Sequence, residues 1–214
     1  MNTGPISRRA AREASSVRES AWPVIRTWRF VTLIFVFFMV SCAGLGAIVH
    51  IVSLLTDHGL AAAQASKIAA LIGVGVMVGR AGTGMLIDVV HARYVAAISF
   101  LLGGAGLALI ALSPGTHLTM IAAGAFAFAF VIGAEGDFVP FFIRRYFGTG
   151  HFSFLYGVLF FFFALGGVVG PIAFGWTFDR FHTYAIAYAC AAAACAVCAG
   201  LVWALGEYTY PPDR

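Results

Sequence analysis

Six long apolar runs, separated by turns of only a few residues, constrain this chain more than anything else in it. They lie at roughly 30–55, 62–88, 94–112, 117–143, 152–176 and 182–206, and each can cross about 30 Å of hydrocarbon at ~1.5 Å per residue. In hydrocarbon every backbone N–H and C=O must be satisfied within the protein, and a helix does this inside a single run. The fold class that follows is all-α, a polytopic membrane protein of six transmembrane helices. The charge content agrees. Only 10% of the 214 residues are charged, against about 25% in soluble domains.

The connections carry turn residues: TDHG near Asp57, VHAR near His91, SPGT at Ser113, RRYFGTG at Arg144 and DRFHT at Asp179. Residues 1–29 form a basic tail with Arg8, Arg9, Arg12, Arg18, Arg26 and Arg29. Within it Val17, Ala21, Ile25 and Trp28 recur at helical spacing, which predicts a short interfacial helix that Pro23 kinks or begins. Residues 207–214 form a second tail. If the amino end is cytosolic, that side collects the six tail arginines with Arg93, Arg144, Arg145 and Arg214, and the other side holds only Lys67 and Arg180. The positive-inside rule then places both termini in the cytoplasm. Twelve arginines against one lysine point to a GC-rich bacterial genome, hence an inner (plasma) membrane. No cleavable signal is expected, because the first apolar run begins near Phe30 and is too long for an h-region. The net charge of +4 resides at the ends of apolar runs, so the expected partner is the lipid bilayer and not nucleic acid.

Ionisable residues within spans are expensive and usually face a bundle interior or a watery path. Segments three and six have none and read as lipid-facing scaffold. Segment one has His50, segment two Arg80, and segment four Glu135 and Asp137. A helix-centre arginine costs about 2.5–3.5 kcal/mol on insertion scales, which argues that Arg80 has a purpose. Arg80 stands eight residues before Asp88, about 12 Å from the membrane edge, and Glu135 stands nine before Arg144, about 13 Å from the same edge. Sharing a level, they are expected to pair, with Glu135 as proton carrier. Asp137 is about 200° from Glu135 on an ideal helix and is expected near the cytosolic mouth, as a second candidate for proton coupling. Either acid could instead serve a structural ion pair with Arg80, Arg144 or Arg145. His50, in the outer part of segment one, is a candidate substrate contact or simply a satisfied polar residue.

Small residues at four-residue spacing let membrane helices approach closely. Gly75 and Gly79 do so in segment two, and Gly166 and Gly170 in segment five, where Pro171 adds a possible hinge. Phe160 to Phe163 read as packing bulk. Cys190, Cys195 and Cys198 lie in one Ala-rich run and read as small buried residues, with no metal or cofactor expected. An intramembrane enzyme is disfavoured: no serine has glycine two residues before it, and no His-Glu-x-x-His occurs. Glu135-Gly136-Asp137 only superficially approaches the Gly-x-Gly-Asp of membrane aspartyl proteases, because Ala134 stands at the first glycine.

Gly84-x-x-x-Asp88-x-x-x-x-Arg93 resembles the loop motif of major facilitator superfamily transporters, with Val89 at its first basic position and His91 at its second glycine. Gly133–Asp137, Arg144–Gly148 and the Tyr156–Asp179 glycine pattern are similar to the same carboxy-terminal half of that superfamily. The resemblance covers nearly all of residues 15–206. It implies one six-helix half of the fold, with Gly84, Asp88 and Arg93 as a gating loop. The stretch from Met77 to Asp88 further resembles the eighth helix of monocarboxylate and oxalate/formate-type porters, which implies that Arg80 meets a substrate carboxylate. Such transporters carry their site between two halves. The chain is therefore expected to pair with a separate six-helix half or with itself. The alternative is an inactive truncated half or a non-transporting membrane subunit.

Overall fold

The computed structural model describes residues 21–113 and 117–210. Six helices fill it: α1 Trp28–Asp57, α2 Ala62–Val89, α3 Ala92–Leu112, α4 Leu118–Phe147, α5 Phe152–Phe181 and α6 Ala185–Trp203. All six are long and apolar enough to cross a membrane. They alternate in direction, so Arg29, Arg93, Arg144 and Arg145 gather at one end of the bundle and Lys67 and Arg180 at the other. The arginines of residues 1–20, most of the interfacial helix predicted before Trp28, and Arg214 lie outside the described residues, although 21–25 are helical. The fifth helix runs beyond residue 176 to Phe181, and the sixth stops at Trp203 instead of 206.

Four close pairs build the bundle, each made possible by glycine. A Cβ on Gly166 or Gly170 of α5 would strike the carbonyl oxygens of Phe38 or Cys42 on α1. A Cβ on Gly79 would strike the carbonyl of Phe130, so α2 lies directly against α4. On α3, Gly104 abuts Ala192 and Cys195 of α6, and Gly106 abuts Gly124 and Phe128 of α4. With no side chain between them, backbones approach and dispersion contacts multiply.

Two apolar clusters run through the middle. One, at the arginine-bearing end, centres on Phe30, Phe37, Phe100, Phe138 and Phe142. The other joins Leu54, Leu107, Ile121 and Tyr188 at the opposite end. There the buried Tyr188 hydroxyl donates to the carbonyl of Ala47 at 2.7 Å.

The scaffold reading of the third segment needs correction. A buried fraction of 61% over its most apolar stretch makes α3 the most enclosed span, against 22% for α2 and 17% for α5. Lack of charge does not mean contact with lipid. Gly103, Gly104 and Gly106 seat α3 between α4 and α6 and leave only the Ile98, Leu101 and Leu112 side open. Cys195 and Cys198 are buried, but Cys190, also expected inside, is exposed because it lies off the buried stripe of α6.

Candidate functional site

The buried stripe of α2 is Ala65, Ile68, Ile72, Gly75, Gly79 and Thr83, spaced by three and four residues and turned onto α4. Arg80 follows Gly79 by about 100° of helix and therefore leaves that stripe. Its side chain is 69% exposed, on a face it shares with Gly73, Met77 and Gly84. Nothing lies within contact range of a Cβ added to Gly73 or Gly84, so this face is open along its length. On the far flank α5 presents a second open face through Phe161, Val168, Ile172 and Trp176.

Arg80 does have an acidic partner, but not the one expected. Its guanidinium lies 3.5 Å from the Asp137 carboxylate, the one ion pair among the described residues. Glu135 instead points into the half-bundle, 6% exposed, with one carboxylate oxygen near Gly44 of α1 and without a hydrogen-bond partner. The reason is rotational. Gly133 of α4 rests directly on the α2 backbone beside Arg80, and a Cβ there would meet the Val76 carbonyl and the Arg80 backbone nitrogen. Asp137, four residues on, lies on that same side one turn away; Glu135, two residues on, faces nearly opposite. The pairing of Arg80 with Glu135 is thus replaced by pairing with Asp137.

His50 is half-buried away from this pair. Its Nε2–H donates to the carbonyl of Pro171 at 3.1 Å, and its ring stacks on Phe174 and leans on Tyr184. The ring thereby joins α1 to α5 and the start of α6. Pro171 is continuous within α5, and Pro140 within α4, with no break in either helix.

A family model described as the uncharacterised MFS-type transporter YbfB matches residues 3–203. The chain belongs to this family. Among solved structures it is similar to the E. coli fucose:proton symporter FucP, with a TM-score of 0.73 at 17% identity. The match covers 88% of this chain and 45% of the symporter, so the chain spans less than half of that structure. Comparison with curated proteins finds no match. The fold is one six-helix half of the major facilitator architecture.

In this MFS half the loop-motif residues do not form an ion-pair cluster. Gly84 is open, and Asp88 is exposed with no basic partner among the described residues. Arg93 donates to the Tyr94 hydroxyl at 2.7 Å, over whose ring it also lies. The sequence reading missed what holds this end together. Residues after α6 turn back at Gly206 (φ +79°) and strap the helix ends. The Tyr146 hydroxyl donates to the Gly206 carbonyl at 2.8 Å, and Arg29 donates to the Thr209 hydroxyl at 2.8 Å. The Ala92 N–H donates to the Tyr208 hydroxyl at 2.7 Å, while the Tyr208 ring stacks on His91 with centroids 3.7 Å apart. Burial and then the Arg93 charge hold the His91 imidazole below its ordinary pKa, against a smaller upward pull from Glu207. Burial likewise pushes the Tyr208 hydroxyl up. Only the aromatic content of the GEYTY segment hinted at this strap.

Proposed function

We propose that this chain is half of a secondary transporter that moves a small organic anion, such as a monocarboxylate, together with a proton. The observation that carries the reading is Arg80: a guanidinium about 12 Å inside the span, on an open helix face, held by one carboxylate at 3.5 Å. A guanidinium fork binds a carboxylate through two parallel hydrogen bonds, and the interaction strengthens where water is excluded. Asp137 competes for the same fork. A proton on Asp137 frees Arg80 for the substrate anion, and its loss recaptures the arginine, so that anion and proton travel together.

A second six-helix half, a separate chain or another copy of this one, would close the α2 and α5 faces into a path. The excess of arginines at one end supports an orientation with both termini in the cytoplasm of a bacterial inner membrane. The test is uptake of labelled small carboxylates into proteoliposomes, with and without a co-reconstituted partner half. Native protein should accumulate label and Arg80→Ala should not, at equal reconstitution. Uptake that survives Arg80→Ala would overturn the anion site, and no uptake under either condition would leave a non-transporting subunit.

A further inference from the structure

At the arginine-bearing end, α4 closes on Arg144 and Arg145, Gly148 reverses the chain with φ +76°, and α5 begins at Phe152. The last turn of α4, the 148–151 loop and Tyr210 of the strap together line a half-open cavity of about 740 Å³. Its wall is built from fitted parts. Tyr210 N–H donates to the Arg145 carbonyl at 2.9 Å. Gly148 packs beside the Tyr210 ring, where a Cβ would make ordinary contact at 3.4 Å, and glycine suits the position through its positive φ. The Arg145 guanidinium is steered by the rings of Phe141 and Tyr208, at 5.3 and 6.0 Å. Arg144 is exposed at the rim.

Among the described residues no carboxylate lines this cavity. Among the described residues neither Arg144 nor Arg145 has an acidic partner or an acceptor for its guanidinium N–H groups. The positive end of the α5 dipole faces the same loop, adding to the field. Phe141 and Phe147 supply apolar wall beside the two charges. Fork-shaped cations beside an apolar wall, where a helix leaves the bilayer, match a phosphate attached to a glycerol and its first methylenes better than a fully hydrated free ion.

We propose that this cavity binds the phosphodiester headgroup of an anionic glycerophospholipid, with Arg145 as the seated cation and Arg144 as the rim cation. The full chain, purified in detergent, is exposed to phosphatidylcholine vesicles with or without phosphatidylglycerol, and retained lipid is counted by native mass spectrometry. Phosphatidylglycerol should be retained in preference to phosphatidylcholine. Each guanidinium near a membrane surface contributes about fivefold in affinity. Arg144→Gln should therefore lower retention about fivefold and the Arg144→Gln/Arg145→Gln pair about twenty-five-fold. Arg180→Gln, at the opposite end, should leave it unchanged. Because Arg144 is exposed, its single variant keeps the fold, checked by an unchanged melting curve in phosphatidylcholine. Equal retention of both lipids, or equal losses in Arg144→Gln and Arg180→Gln, would overturn the site. Full competition by inorganic phosphate would overturn the lipid and leave a free-phosphate pocket.

Discussion

Gly133 decides which acid Arg80 meets. Because the α2 backbone rests on that glycine, the residue one turn further along α4 is presented to the guanidinium, and that residue is Asp137. Uptake measured across pH should separate the two acids: Asp137→Asn flattens the profile, while Glu135→Gln retains it. A flat profile in Glu135→Gln alone would return the proton to Glu135. Glu135 also has a signature of its own. A buried carboxylate oxygen without a partner costs about 1–3 kcal/mol, so Glu135→Met, similar in length and apolar, should raise thermal stability by about that amount. A lower melting temperature would mean that Glu135 has a partner in the membrane. The depth count from the sequence placed Arg80 and Glu135 on one level and chose that pair wrongly, because depth says nothing of which of two acids about 200° apart on one helix is turned toward α2.

At the scale of helices, glycine positions make contrasting predictions. Gly79→Ala drives a methyl group into the Phe130 carbonyl and should destabilise the bundle by about 1–3 kcal/mol. Gly84→Ala meets open space and should be neutral or gain up to about 1 kcal/mol from helix propensity. Thermal denaturation in detergent reads both, and similar melting temperatures would rule out close α2–α4 packing. The strap predicts a pH effect. His91 is held below its ordinary value of 6.5, so the unfolded segment binds more protons than the docked one in the interval just below that value. The contribution of His91 to docking is therefore complete above about 6.5 and is lost as pH falls through the depressed pKa. Hydrogen exchange of residues 204–210 should accelerate on acidification in the native chain and lose that dependence in His91→Phe. Exchange that does not respond to pH in the native chain would remove the His91–Tyr208 stack as the clasp.

For the molecule as a whole, the least buried helices, α2 and α5, carry the two open faces. The α5 face is apolar and compatible with lipid tails. The α2 face bears Arg80, and an exposed guanidinium at that depth is costly in hydrocarbon. The chain should therefore associate through α2 in a bilayer. A Met77→Cys variant should cross-link to a second six-helix chain or to a second copy, and an Ile98→Cys variant, on the open side of α3, should not. Only monomers at every protein-to-lipid ratio, or equal cross-linking at both positions, would count against a paired assembly.

The sequence alone was enough for the six spans, the sorting of arginines to one end, and the small-residue stripes of α2 and α5. All of these follow from hydropathy and from rise and phase along a single helix. Tertiary structure decided how each helix is rotated about its own axis against its neighbours. That rotation put Asp137 rather than Glu135 beside Arg80, enclosed α3, and sent His50 to Pro171. It also decided the return of residues 204–210 across the helix ends. These outcomes depend on which backbones glycine allows to touch, and contacts between residues distant in the chain leave no period in the sequence to read.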